Sequence, residues 1–387
     1  MKYRRIFPIQ EISKDKRDCL IGIWAVREPP IQEYNNLIID GGNIGMKAMI
    51  LKRMCDLSKE TEPLELAEMP VPVAGDKEIL VRVSACGVCH TELDEIEGRT
   101  PPPKLPVILG HQIVGKVEAW GSSANKFRIG DRIGIAWIHS TCGKCGFCLQ
   151  GRDNLCEDFS ATGRDTNGGY AEYTTVSEDF AYAIPEIFSD AEAAPLLCAG
   201  AVGYRSLRLT GLKNGQTLGL IGFGASAHLV LAVALHTYAD SRLFVFSRTE
   251  DERKFALKLG AYWAGDFGDA PPEKLHCAID TTPAWRPVVD TLQHLERGGR
   301  MVINAIRKED VDKEYLLNLD YPRDLWMEKE IRSVANVTRK DVEEFLRIAE
   351  EIPIRPEIQE YGLLDANRAL LELKQRKIRG AKVLKVE

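Results

Sequence analysis

The chain has 387 residues, 44% of them hydrophobic and 28% charged, with a net charge of −6. That length allows two domains with real cores, and the acidic balance argues against a nucleic-acid-binding surface. No apolar run approaches a membrane span, and Met1–Pro8 leads into polar residues where an export signal would need an apolar core. The expectation is a globular protein of the cytoplasm.

Residues 1–45 are polar and irregular, with Pro29-Pro30 and Gly41-Gly42 near their end. They read as a poorly ordered N-terminal extension or a translated leader, with Met46 as the true start. Gly41-Gly42 fits a purine-rich ribosome-binding sequence upstream of Met46. The other reading is an arm that packs on a neighbour. From Met46 to about residue 200, short strand-like segments alternate with Gly and Pro: Ile79–Ala85, Val107–Gly110 and Gln112–Ala119, with Gly130–Trp137 and Gly168–Val176 each a turn followed by a strand. This texture predicts an irregular β-barrel-like domain.

Beyond about residue 200 the pattern changes to alternating strands and helices. A strand at Thr217–Gly222 precedes a helix at Ala225–Tyr238. A strand at Leu243–Phe246 precedes an amphipathic helix at Asp251–Leu259, which Gly260 ends. Strands at Cys277–Asp280 and Arg300–Asn304 flank a helix at Trp285–Leu295. That rhythm predicts a doubly wound parallel sheet. In the tail, a helix is expected at Val342–Glu351 and a strand at Ala381–Val386.

Three groups of residues carry chemistry. Cys142, Cys145, Cys148 and Cys156 follow a C-x2-C-x2-C-x7-C pattern. Four thiolates this close can close a tetrahedral shell around one Zn²⁺, leaving no open position, so the group predicts a structural metal lobe. In a reducing compartment such spacing means metal more often than disulfide.

Gly222-Phe-Gly-Ala-Ser-Ala227 follows a strand and opens a helix. Gly222 permits the tight turn, Gly224 lets backbone approach a pyrophosphate, and Ala227 keeps helix and strand close. An NAD-selecting acid is expected about twenty residues on, at the end of the next strand. Phe246-Ser247-Arg248 stands there instead, with Glu250 and Asp251 following. Ser247 and Arg248 can hydrogen-bond and neutralise a ribose 2′-phosphate, which favours NADP(H) and leaves NAD(H) possible.

The third group is dispersed: Cys86-Gly-Val-Cys89-His90-Thr91-Glu92, Gly110-His111-Gln112 and Leu197-Cys198-Ala199-Gly200. Each piece alone is weak, since a lone buried Cys is usually a small apolar residue. Together they offer two thiolates and one imidazole, an open set that leaves a fourth position for water or substrate.

With these motifs in this order, the chain resembles the zinc-dependent medium-chain alcohol dehydrogenases from about Met46 to Val386. Gly-Asp-Arg-Ile-Gly at 130–134 and Gly-Gly-Tyr-Ala-Glu-Tyr at 168–173 belong to the same resemblance. It implies a Rossmann domain at 201–338 and a GroES-like catalytic domain, an irregular β-barrel with the four-cysteine lobe, at 46–200 and 339–387. It implies two Zn²⁺ per chain: Cys89, His111 and Cys198 as catalytic ligands, and the four lobe cysteines as structural ones. His90 and Arg339 are similar to residues near the cofactor pyrophosphate. Thr91 resembles the hydroxyl that handles the substrate proton, and Trp137 a wall of the substrate pocket.

Three positions depart from the family pattern. Glu92 replaces the commoner Asp that orients the zinc-bound His, Gln112 replaces a Glu, and Asp94 replaces a His in the proton relay. Proton exit is therefore expected through Asp94 or water. The implied activity is hydride transfer between a small alcohol or aldehyde and the nicotinamide cofactor, in a homodimer or homotetramer with no nucleic-acid or membrane partner. A second reading is a non-catalytic zinc- and nucleotide-binding redox sensor on the same scaffold. It accounts less well for an intact ligand set accompanied by Thr91.

Overall fold

The computed structural model describes residues 45–375 and 380–386. The expectation of an N-terminal extension therefore lies outside the described residues, apart from Gly45, which opens the first strand, Gly45–Leu51. No helix among the described residues is long and apolar enough to cross a membrane.

The antiparallel part is organised around the strand Glu78–Val88, whose residues from Ile79 to Val83 include three β-branched side chains. It pairs along one edge with Ile113–Trp120. Its other edge pairs first with Tyr173–Ser177 and then, from Ala85 onward, with the C-terminal strand Ala381–Lys385. Arg132–Ile135 and Ala181–Ala183 extend this sheet on one side, and Ile358–Gly362 on the other. There it pairs in parallel with Ala381–Lys385, the one parallel contact among the described residues of an otherwise antiparallel sheet. A second antiparallel sheet joins Leu64–Pro70, Gly45–Leu51 and Val107–Ile108. One buried cluster joins these elements through residues such as Leu51, Ile79, Ile113 and Tyr170. Fully burying aliphatic side chains of this kind contributes about 1.5–3 kcal/mol each.

The register of these strands places two site residues side by side. Cys86 lies opposite Ile113, and Gly87 N–H donates to the Gln112 carbonyl at 2.9 Å. The next residues outward, Cys89 and His111, thus leave the ends of paired strands together. Gly87 is needed at this crossing, because a Cβ there would come within 2.8 Å of the Gln112 side chain.

The parallel sheet has six strands: Thr217–Ile221, Arg242–Phe246, Trp263–Gly265, Leu275–Asp280, Leu295–Ile303 and Glu330–Ser333. Their spatial order is third, second, first, fourth, fifth, sixth. Every pair is parallel. The order reverses between Thr217–Ile221 and Leu275–Asp280, where doubly wound sheets open a crevice for ligands. Thr217–Ile221 is buried at all five positions, as a strand covered on both faces must be.

Several element ends differ from the sequence expectation. The strand expected at Arg300–Asn304 begins earlier, at Leu295, and the preceding helix is limited to Arg286–Leu292. The helix expected from Val342 starts at Arg339. Thr338 caps it: its hydroxyl accepts from Asp341 N–H, while the Asp341 carboxylate accepts from Thr338 N–H at 2.9 Å. That reciprocal cap satisfies the Thr338 N–H, gives the Asp341 N–H a side-chain acceptor, and contributes about 1 kcal/mol. Gly168–Tyr170 is the turn expected ahead of the strand Tyr173–Ser177, and its N–H groups bond to the carbonyls of Ile108, Gly110 and Leu109.

Candidate active site

Cys89 directly follows the long central strand and caps the helix His90–Ile96. His111 follows Gly110, whose φ of +95° and crowded surroundings suit only glycine; a Cβ would approach Tyr170 Cδ1 within 2.5 Å. Cys198 stands where the short helix Ala194–Leu197 meets the helix Ala199–Thr210. These three separate elements converge. The donor atoms of Cys89, His111 and Cys198 all lie within 4.8 Å of one another, a group able to hold a metal ion.

Glu92 organises the group. Its Oε2 accepts from Cys89 N–H at 2.7 Å, and its Oε1 lies 2.7 Å from His111 Nδ1. Both Glu92 and His111 are buried. The longer carboxylate therefore spans from the helix to the imidazole without difficulty. With Nδ1 facing a carboxylate, Nε2 is left to face the sulfurs, and this buried atom has no hydrogen-bond partner among the described residues. An orphaned imidazole nitrogen beside two thiols is a donor set that fits zinc.

The electrostatics point the same way. A hydrogen bond from Cys198 holds the Cys89 thiol well below its usual range, against the effect of burial. Burial also opposes charge on His111, but the Glu92 carboxylate and Cys89 outweigh it and hold the imidazole well above its usual value. The site attracts positive charge, and ligand protons and a metal ion compete for it.

Thr91 Oγ1 lies 3.6 Å from Cys89 Sγ, next to the donors. Trp137, nearly buried, meets His111 edge-on with ring centroids 5.1 Å apart, and the Arg164 guanidinium covers the Trp137 ring at 5.8 Å. The Gln112 side chain is buried against Gly87. His90 is exposed at the start of its helix. Asp94 is buried, and its Oδ1 accepts from Arg99 at 2.5 Å and from Arg307 at 3.1 Å.

The four-cysteine lobe forms as a separate cluster. Cys145 and Cys148 sulfurs lie 3.5 Å apart, as do those of Cys156 and Cys142, and no disulfide links them. Cys145 N–H points at Cys142 Sγ and Cys148 N–H at Cys145 Sγ. The N–H groups of Lys144 and Cys145 lower the Cys142 thiol to about 7, which readies it as a thiolate ligand.

Gly222 ends the first parallel strand with a φ of +83°, and a Cβ there would lie 2.8 Å from Thr281 Oγ1. Gly224 caps the helix Ala225–Thr237, and nothing lies within 4 Å of the position a Cβ there would take. Ala227 is fully buried. This is the cradle that a pyrophosphate requires. Ser247 is buried at the end of the second strand, and Arg248 beside it is exposed. Arg339 is drawn elsewhere: its N–H donates to Asp153 Oδ2 at 3.1 Å, and its guanidinium lies over the Phe180 ring at 5.0 Å.

Residues 75–186 match the alcohol dehydrogenase GroES-like domain. A probable alcohol dehydrogenase, AdhA, from Mycobacterium tuberculosis is 44% identical over 330 residues, covering 84% of this chain and 93% of that protein. This chain belongs to the zinc-dependent medium-chain alcohol dehydrogenases. An alcohol dehydrogenase from Geobacillus stearothermophilus is 32% identical over 351 residues, 88% of this chain and the whole of that one. The structure of a cinnamyl alcohol dehydrogenase from Sorghum bicolor superposes with a TM-score of 0.74 at 26% identity, over 88% of this chain and 97% of that one. The activity class of this dehydrogenase is that of its family, and the second reading, a non-catalytic sensor, gains no support from these relatives.

The sequence reading missed two residues around the cofactor crevice and the metal-side helix. Arg307 comes from the loop after the fifth parallel strand, and its approach to Asp94 spans 213 residues, with no local signal. Glu252 reaches back from the helix Glu250–Lys258 to Ser247. Thr249-x-x-Glu252 has the form of a capping box, which is the one signal that singles it out.

Proposed function

We propose that this dehydrogenase interconverts small alcohols and aldehydes, with one zinc ion on Cys89, His111 and Cys198, a second in the four-cysteine lobe, and a nicotinamide dinucleotide on the Gly222–Ala227 turn. The observation that carries the reading is the unpartnered Nε2 of His111, oriented by Glu92 and set among two sulfurs. Bound zinc supplies Lewis acidity to a substrate oxygen, and bound nicotinamide supplies the hydride acceptor or donor.

The chain's own residues do the rest. Glu92 fixes the His111 tautomer and ties the helix of Thr91 to the ligand group. Thr91 accepts the substrate proton through Oγ1. Trp137 closes one side of the site and excludes water. Asp94 Oδ1 is already engaged by Arg99 and Arg307, so we assign proton exit to water and give Asp94 the part of holding its helix against the cofactor-side loop. His90 contacts the pyrophosphate together with the helix N–H groups. Arg339, spent on Asp153 and Phe180, steadies the metal lobe. Arg248 favours NADP(H), whereas the Ser247 hydroxyl is given to Glu252. We place the protein in the cytoplasm, where thiols such as these stay reduced, as a homodimer or homotetramer.

The test is an assay of NADP⁺ and NAD⁺ against primary, secondary and aromatic alcohols, with zinc measured on the same samples. The expected result is cofactor reduction in the wild type and a roughly thousandfold loss in His111→Ala. Unchanged turnover in His111→Ala would contradict the proposal.

A further inference from the structure

The helix after the second parallel strand starts with Thr249 as its cap, and Thr249 Oγ1 accepts from Glu252 N–H at 3.3 Å. A Glu at this third helical position ordinarily turns its carboxylate back to the N–H of the capping residue. Glu252 does something else. Its Oε2 accepts the hydroxyl hydrogen of Ser247, the residue at the strand end. Arg253 Nη1 donates to the Ser247 carbonyl at 2.6 Å and the Arg248 carbonyl at 3.0 Å, which fixes the turn between strand and helix. Ser247 N–H is bound to the Gly265 carbonyl at 2.9 Å.

The strand end lacks the carboxylate that selects a ribose 2′-hydroxyl, and a helix side chain brings one there. We propose that Glu252 is a specificity-determining residue that keeps NAD(H) usable in a site biased toward NADP(H) by Arg248. This rests on the dinucleotide reading above. A neutral 2′-hydroxyl can donate to the Glu252 carboxylate, whereas a 2′-phosphate meets a like charge and a serine hydroxyl already occupied. Arg248, exposed and adjacent, pulls the other way. With the Arg253 guanidinium held on two backbone carbonyls, cofactor choice in this chain turns on the opposed charges of Glu252 and Arg248.

The adenine-end fragments isolate this effect from hydride chemistry. Binding of 2′-phospho-ADP-ribose and of ADP-ribose is measured by calorimetry to the zinc-loaded wild type, Glu252→Gln and Arg248→Gln. Glu252→Gln is expected to tighten the phosphorylated fragment by roughly tenfold or more and to weaken ADP-ribose several-fold. Arg248→Gln is expected to weaken only the phosphorylated fragment. If Glu252→Gln moves both affinities equally, or neither, the role of Glu252 is overturned. If Arg248→Gln has no effect while Glu252→Gln shifts the ratio, the Arg248 reading falls and that of Glu252 stands. Failure of either fragment to bind any variant overturns both. Glu252→Ala provides the same comparison should the Gln variant fold poorly.

Discussion

The two cysteine-containing clusters differ in how they are built, and under the proposed function the difference separates holding a fold from doing chemistry. The lobe draws four like donors from fifteen consecutive residues, Cys142 to Cys156, and two of its sulfurs accept N–H groups from within the same loop. It assembles locally and its donor set is complete. The other cluster takes one donor from each of three elements and supplies only three. Its geometry depends on the register of Glu78–Val88 with Ile113–Trp120 and on Glu92, which is not itself one of the three donors. The open set is the one with a hydroxyl, Thr91, beside it.

Variants that break this contrast are ranked by their effect on turnover. His111→Ala should be the most severe, because polarising the substrate oxygen is worth several kcal/mol, roughly a thousandfold in rate; steady-state kinetics on folded, metal-analysed protein reads this directly. Thr91→Ala should lose about a hundredfold, with Thr91→Ser recovering most of it, as expected for a proton-handling hydroxyl. Equal losses in the two Thr91 variants would remove that role. Glu92→Ala should weaken retention of the open-site metal by about ten- to a hundredfold, read by competition with a chelator. Cys145→Ala belongs at the other extreme: it should lower the melting temperature and the metal content while folded molecules keep most of their turnover. A Cys145→Ala enzyme that is fully stable yet inactive would reverse the assignment of the two clusters.

The same contrast governs what can be read from the residues alone. The lobe is legible in full because its spacing is its structure. The Gly222–Ala227 turn and the strands around it are legible from an apolar run and glycine placement. The open site is legible only because its dispersed pieces resemble a family pattern; no spacing rule connects residue 89 to residue 198. What the sequence hides are side-chain directions across long separations. Arg307 reaches Asp94 because a loop of the parallel sheet lies over the helix His90–Ile96. The helix beginning at Arg339 starts three residues before its first apolar position, because Thr338 and Asp341 cap each other. The Glu252 carboxylate leaves its ordinary capping place for Ser247, which no propensity foretells.

The most direct measurement is the zinc content per chain of the wild type, His111→Ala and Cys145→Ala, taken with turnover on the same preparations. The wild type should hold two zinc ions per chain. Loss of the His111 site should leave about one ion in a folded but inactive protein, and loss of the lobe should leave about one in a less stable but active protein. Two retained ions with normal turnover in His111→Ala would contradict this assignment of the two sites.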